Sequence, residues 1–145
     1  MAPPKLTADE LQRLLASEFP QMFGMEGGLS IEHAEQGACR VRQAFRAQTL
    51  RPGGTISGVA MMGLTDVSMY IVVLASIGWL PLAVTTNLTI NFLRKPVPHD
   101  LLAECRLLKL GKRLAVGEIT IRSDGLNEPV AHAVSTYSIP AGSEA

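Results

Sequence analysis

The feature that most constrains this chain is a long apolar run, from Ser57 to Val73, that holds a single carboxylate. Asp66 lies in its middle and is the only charged residue between Arg51 and Arg94. A helix that is apolar on nearly every side must be covered on nearly every side. A membrane would provide that cover, but a carboxylate at mid-bilayer costs about 2.5–3.5 kcal/mol even on permissive insertion scales. We therefore predict a helix from about Gly58 to Ile77 that is buried by its own protein and does not span a membrane.

Strand patterns flank this helix on both sides. Before it, apolar and basic residues alternate, which predicts an antiparallel pair of strands. Cys39, Val41 and Phe45 would lie on one face, and Arg40, Arg42 and Arg46 on the other. After it, alternation and turn residues predict four more strands, over residues 83–93, 101–110, 114–123 and 130–139. Strands gathered around a single apolar helix indicate an α+β fold, with a curved antiparallel sheet wrapped round that helix.

Two finer expectations follow from the same patterns. Gly63 costs about 1 kcal/mol in helix propensity relative to alanine, so we expect it to permit close approach between the helix and the sheet. In the strand after the helix, simple alternation puts Thr85 on the face of Asn87 and on the opposite side from Leu88 and Ile90.

The length of 145 residues indicates a single domain. Thr7 and Glu10 have the spacing of a capping box, which predicts a short helix that is ended by Pro20 and the glycines Gly24, Gly27 and Gly28. We expect three segments: residues 1–28 as N-terminal helix and linker, 29–140 as the core, and 141–145 as a tail. The start lacks the apolar stretch of a secretory signal, and Cys39 and Cys105 have the pattern of buried reduced thiols, so we expect a cytoplasmic protein.

The charge balance narrows the range of partners. Acidic and basic side chains number 13 each, so no long-range field favours nucleic acid or an anionic membrane surface. Two cysteines are too few and too isolated for a disulfide framework, and the three histidines show no ligand spacing. We expect neither a metal site nor a nucleic-acid or membrane partner.

Four stretches resemble one known family: RPGGTISGVAMMGLTDVSM, TTNLTINFLRKP, LGKRLAVGEITI and the ending STYSI. They are similar to the hotdog-fold thioesterases of the PaaI-like and 4-hydroxybenzoyl-CoA group, over roughly residues 29–140. The resemblance implies a sheet around a central helix and homodimers, often dimers of dimers, with active sites between subunits. It also implies acyl- or aroyl-coenzyme A thioesters as substrates and no metal or redox cofactor.

The family's usual motif is an asparagine, a glycine three residues on, and then His-Gly-Gly leading into the helix, followed by an acid two turns later. The positions that match are Gly54, Gly58 and Asp66. The positions that differ are Arg51 in place of asparagine, Ser57 in place of histidine and Val59 in place of the second glycine.

The resemblance assigns roles to the matching positions. The backbone N–H groups of Gly58 and Val59, at the positive end of the helix dipole, would stabilise an oxyanion. Asp66 would act as general base or as nucleophile. Thr85 would position water from the other subunit, although it also suits an ordinary strand. A structural role for Asp66 is the alternative, and in either case a buried acid needs hydrogen bonds.

The remaining candidates have plain structural alternatives too. Ser57 would contact the thioester or, as we favour, cap the helix. Four basic residues would contact the phosphates of coenzyme A or be solvated surface: Arg94, Lys95, Lys112 and Arg113.

The sequence is therefore compatible with three functions. The first is an acyl-CoA thioesterase. The second, favoured by the changes at Arg51, Ser57 and Val59, is a non-catalytic hotdog protein that binds acyl-CoA or an aromatic acid. The third, a hotdog dehydratase, is disfavoured because no histidine stands near Ser57.

Overall fold

The computed structural model describes residues 2–141, so only Ala141 of the expected tail lies within it. The helices are α1 (Ala8–Glu18), α2 (Pro20–Phe23) and α3 (Gly58–Ile77), with a single 3-10 turn at Ala47–Thr49. The strands are β1 (Leu29–Glu35), β2 (Ala38–Gln43), β3 (Val84–Phe92), β4 (Leu101–Leu110), β5 (Leu114–Ser123) and β6 (Pro129–Ser138).

The strands form one antiparallel sheet that wraps round α3. Its order is β1-β2-β4-β5-β6-β3, and α3 contacts all six strands. Alternate residues along the strands point to the helix and are buried, such as Val41, Ala103, Ile119 and Ala133. The expected α+β hotdog fold is confirmed.

The central helix α3 agrees with the predicted bounds. By length and composition it would suffice to span a bilayer, and most of that apolar stretch is buried within the protein. Ser57 caps its first turn, because the Ser57 side chain accepts a hydrogen bond from the Ala60 N–H at 3.0 Å. Gly78 ends it with a positive φ of 100°, a conformation that glycine adopts without steric cost.

The expectation for Gly63 is wrong. The nearest atom to a methyl group added there is Cε of Met22, at 4.0 Å, so Gly63 lies against α2 with room to spare. The close approach is made instead by Gly117 of β5, where an added Cβ would lie 2.5 Å from Sδ of Met69. The glycine that lets the sheet and the helix meet is therefore in the sheet.

One local boundary agrees with expectation and another differs. Helix α1 ends at Glu18, just before Pro20, as expected, and Pro20 then begins the short helix α2, which Gly24 ends. Strand β2 stops at Gln43, so Phe45 lies beyond the alternating segment, and its N–H donates to Oδ1 of Asp100 at 2.8 Å.

The two cysteines are free and buried, as expected, but they are not isolated from each other. Cys39 and Cys105 lie directly opposite in the β2–β4 ladder. The Cys39 thiol also donates to the backbone oxygen of Ser68 in α3, at 3.3 Å. Its hydrogen bond with Cys105 and its burial raise the pKa of Cys39 well above the usual range, so it stays a thiol at neutral pH.

Candidate active site

The carboxylate of Asp66 is oriented by two hydroxyl groups of the same chain. Thr85 Oγ1 donates to Asp66 Oδ1 at 2.5 Å. Tyr137 Oη lies 3.2 Å from the same oxygen and 3.1 Å from the Asp66 backbone oxygen, within hydrogen-bonding distance of both. Within residues 2–141, no side chain donates to Oδ2. The carboxylate is thus fixed through one oxygen and available through the other.

The surroundings of Asp66 differ from expectation in one respect. Its side chain is only partly buried, because this side of α3 borders a cavity and is not covered by the sheet. The need for hydrogen bonds is nevertheless met by Thr85 and Tyr137.

The Tyr137 phenol remains protonated and can therefore donate a hydrogen bond to this site. Burial, reinforced by the negative charge of Asp66, raises the pKa of Tyr137 well above its ordinary value, with the Thr85 hydroxyl acting in the opposite direction. The phenol therefore keeps its proton at neutral pH. Burial also raises the pKa of the neighbouring Tyr70, whose hydroxyl donates to the Pro81 carbonyl at 3.0 Å.

A bulge in β3 turns Thr85 toward Asp66. Thr85 is paired with Tyr137, but the next pair in the ladder is Asn87 with Thr136, which leaves Thr86 as an extra residue. The extra residue reverses the alternation, so Thr85 shares the helix-facing side with Leu88. The expected common face of Thr85 and Asn87 is wrong for this reason. Thr85 contacts the Asp66 of its own chain.

A cavity of about 530 Å³ opens beside Asp66 and Thr85. Its walls come from α1, from α3 and its C-terminal loop, and from β3 and β6. Sequence analysis found Asp66 and Thr85 but missed five other residues of this cavity: Glu18, Phe19, Tyr70, Trp79 and Tyr137. The signal for Tyr137 was present, since it is the one aromatic residue in the last strand.

The start of α3 forms a second region. The first N–H groups of a helix lack intrahelical partners, and across residues 2–141 no protein acceptor meets those of Gly58 and Val59. Gly58 lies against the ring of Phe92, at the border of a cavity of about 370 Å³. Ser57 is engaged as the helix cap, the role that we favoured for it.

The four basic candidates divide between these two regions. Arg94 and Lys95 line the cavity at the start of α3, and the Arg94 guanidinium donates to the Pro129 carbonyl. Lys112 and Arg113 lie at the β4–β5 turn, where the Arg113 backbone oxygen accepts from Ile139, two residues beyond Tyr137. They are therefore at the same end of the sheet as Thr85.

The two regions do not meet within one chain. Gly58 and Asp66 lie about 12 Å apart along the helix axis, from the rise of about 1.5 Å per residue. Gly58 is beside Phe92 at one end of β3, whereas Asp66 is beside Thr85 at the other. A thioester carbonyl is too small to reach both groups of a single copy.

Comparison with known proteins agrees with this fold. The family model of the thioesterase superfamily matches residues 53–130. The solved structure of a candidate thioesterase from a Silicibacter species is 46% identical, with 94% of each chain covered and a TM-score of 0.86. A candidate esterase of Saccharolobus solfataricus is 29% identical over 94% of this chain and 87% of its own length. The E. coli PaaI protein from the phenylacetic acid degradation operon is 20% identical, covers 93% of this chain and 92% of its own, and has a TM-score of 0.76, which shows likeness of fold alone.

Proposed function

Because the chain belongs to the thioesterase superfamily, we propose that it hydrolyses acyl- or aroyl-coenzyme A thioesters. The observation that carries this proposal is the Asp66 carboxylate, held at Oδ1 by Thr85 and Tyr137 and bordering a cavity large enough for an acyl group. An oriented carboxylate of this kind is what proton abstraction or nucleophilic attack requires.

Two courses of reaction are open to Asp66 Oδ2. As a general base it takes a proton from water while the water oxygen attacks the thioester carbonyl, and coenzyme A then leaves as the thiolate. As a nucleophile it attacks the carbonyl itself, expels the thiolate and forms an anhydride that water hydrolyses. In both courses the carbonyl oxygen becomes negative, and the N–H groups of Gly58 and Val59 are the donors suited to stabilise it.

The complete site needs two copies of the chain. Strand β3 is one of the two edge strands of the sheet, and most of its residues are exposed. If two β3 strands pair antiparallel, the Phe92 end of one copy lies beside the Thr85 end of the other. That pairing joins the Gly58 N–H of one copy to the Asp66 of its partner, which are too far apart within one chain.

The same pairing groups the basic residues. Arg94 and Lys95 of one copy would flank the site from the Gly58 side, while Lys112 and Arg113 of the other would flank it from the Thr85 side. Together they are suited to bind the phosphates of coenzyme A.

The decisive test replaces Asp66 by asparagine. Asp66→Asn keeps an oxygen that accepts from Thr85 and Tyr137, but it removes the base and the nucleophile. With a panel of acyl- and aroyl-CoA substrates followed by thiol release, kcat should fall by at least about 100-fold. The Tm of the same preparation should stay within a few degrees of wild type. Asp9→Asn, at an exposed acid in the first turn of α1, is the matched control and should keep full activity.

A destabilised but fully active Asp66→Asn variant would contradict the catalytic role. If the wild-type protein turns over none of the thioesters, the proposal fails in favour of the non-catalytic binder. This second candidate function is favoured by three positions at which the chain differs from the family's motif: Arg51, Ser57 and Val59.

A further inference from the structure

The cavity beside Asp66 is unusually rich in aromatic side chains. Phe19, Tyr70, Trp79 and Tyr137 all line it. The whole chain has four phenylalanines, two tyrosines and one tryptophan, so four of its seven aromatic residues line this one cavity. Aromatic walls pack best against flat groups, by offset stacking or edge-to-face contact.

Part of this wall comes from outside the segment that matches the family. Glu18 and Phe19 stand at the end of α1, well before residue 53, where the family match begins. Helix α1 packs on α3 and β1, which brings its last turn to the cavity. These contacts are therefore made by a segment that lies before the residues matched by the family model.

The charge of the cavity is one-sided. Of the residues that line it in the described part of the chain, Glu18 and Asp66 are charged, and both are acids. A second carboxylate on an incoming acyl group would be repelled by them and would find no cation among the residues of the same copy that line the cavity. An unpaired charge in such a partly enclosed site is costly.

We propose that Glu18, Phe19 and Trp79 form an acyl wall, which accepts flat uncharged acyl groups and rejects acyl groups that carry a second carboxylate. This inference rests on the proposed thioesterase function, because it takes the cavity beside Asp66 to be the acyl side of that site. Phe19 and Trp79 supply the flat contact surface, and Glu18 supplies the rejection of negative charge.

Binding can be measured without turnover, because Trp79 is the only tryptophan and its fluorescence reports on this cavity. The probes are hydrolysis-resistant thioethers: S-benzyl-CoA, S-hexyl-CoA and S-(4-carboxybutyl)-CoA. We expect S-benzyl-CoA to change the Trp79 emission and to bind at least about tenfold more tightly than the carboxybutyl analogue. Glu18→Gln should reduce that ratio at least threefold by strengthening carboxybutyl binding, with the affinity for S-benzyl-CoA changed less than twofold.

The control is Glu26→Gln, which removes an exposed acid that does not line the cavity and should leave the ratio unchanged. In turnover, Trp79→Leu should lower kcat/KM for benzoyl-CoA at least about fivefold more than for hexanoyl-CoA. Equal affinity for the benzyl and carboxybutyl probes, or a ratio that Glu18→Gln does not change, would overturn the acyl wall. Selective binding without hydrolysis of any thioester would overturn the thioesterase function and leave the wall standing, so the two failures are distinguishable.

Discussion

At the scale of single residues, the hydroxyl of Thr85 helps to fix the orientation of the Asp66 carboxylate. A carboxylate on a helix can rotate about its χ angles, and hydrogen bonds from Thr85 and Tyr137 restrict that rotation. Both bonds end on Oδ1, so they orient Oδ2 without occupying it. We therefore propose that Thr85 is a positioning residue, whose effect should be on the reaction and not on substrate affinity.

Replacing Thr85 by alanine tests this role. Hydrogen bonds to charged groups contribute about 1.5–3 kcal/mol, so Thr85→Ala should lower kcat by about 10- to 100-fold. KM should change little, the sign of an interaction that matters in the transition state, and Thr85→Ser should restore most of the activity.

The neighbouring residue provides the control for that substitution. Thr86→Ala removes a hydroxyl whose bond goes to the Thr136 backbone oxygen, so kcat should stay near wild type. An unchanged kcat in Thr85→Ala would reduce Thr85 to an ordinary strand residue.

The sequence identified Asp66 and Thr85 but misplaced the side chain of Thr85. A bulge is defined by how a strand pairs with its partner, so it cannot be recognised from the sequence of the strand alone. Because Thr85 and Thr86 are both threonines, residue type did not show which of them faces the helix. Tyr137 was missed for a related reason. It is distant in sequence from Asp66, and only the pairing of β3 with β6 brings it there.

At the scale of elements, local patterns predicted well. The uniform apolar run predicted α3, and alternation predicted the six strands, because both depend on which side of an element meets the core. The order of strands depends on long-range pairing. The local pattern does not show that β3, the strand that follows α3, pairs with the last strand, β6. It also does not show that β4 pairs with β2.

Gly117 and Gly63 differ in how much space surrounds them, so their alanine variants should differ in stability. A methyl group at Gly117 would lie 2.5 Å from Sδ of Met69, a fully buried side chain, and 3.3 Å from the Arg106 backbone oxygen. We expect Gly117→Ala to lower the free energy of unfolding by about 1–3 kcal/mol. Gly63→Ala, with 4.0 Å to its nearest neighbour, should raise it by up to about 1 kcal/mol through helix propensity.

Urea unfolding of both variants beside wild type measures this difference. A stabilised Gly117→Ala protein, or a Gly63→Ala protein destabilised by more than the measurement error, would mean that the contact between helix and sheet is not as described.

At the scale of the whole molecule, the proposed site is shared between copies, and subunit mixing tests that sharing. Gly58→Pro should remove one N–H donor without breaking α3, because proline suits the first helical position and Ser57 already has the extended conformation that precedes proline. Each of Gly58→Pro and Asp66→Asn alone should be nearly inactive. In a mixed dimer one of the two sites carries both changes, and the other carries neither.

After joint refolding of equal amounts, activity should therefore return to about a quarter of wild type, since half of the dimers are mixed and each has one intact site. Light scattering at micromolar concentration should show at least a dimer. A monomer, or a mixture as inactive as its components, would place the whole site within one chain.

The bulge at Thr86 also bears on how an unassembled copy avoids aggregation. An open strand edge can template the addition of foreign strands, and β3 is such an edge. A bulge bends its strand and interrupts the regular spacing of N–H and C=O groups. The regular stretch of β3 is thereby shortened to Asn87–Phe92. One extra residue that turns a hydroxyl toward Asp66 thus also limits the register in which any strand, including that of a second copy, can add to the sheet.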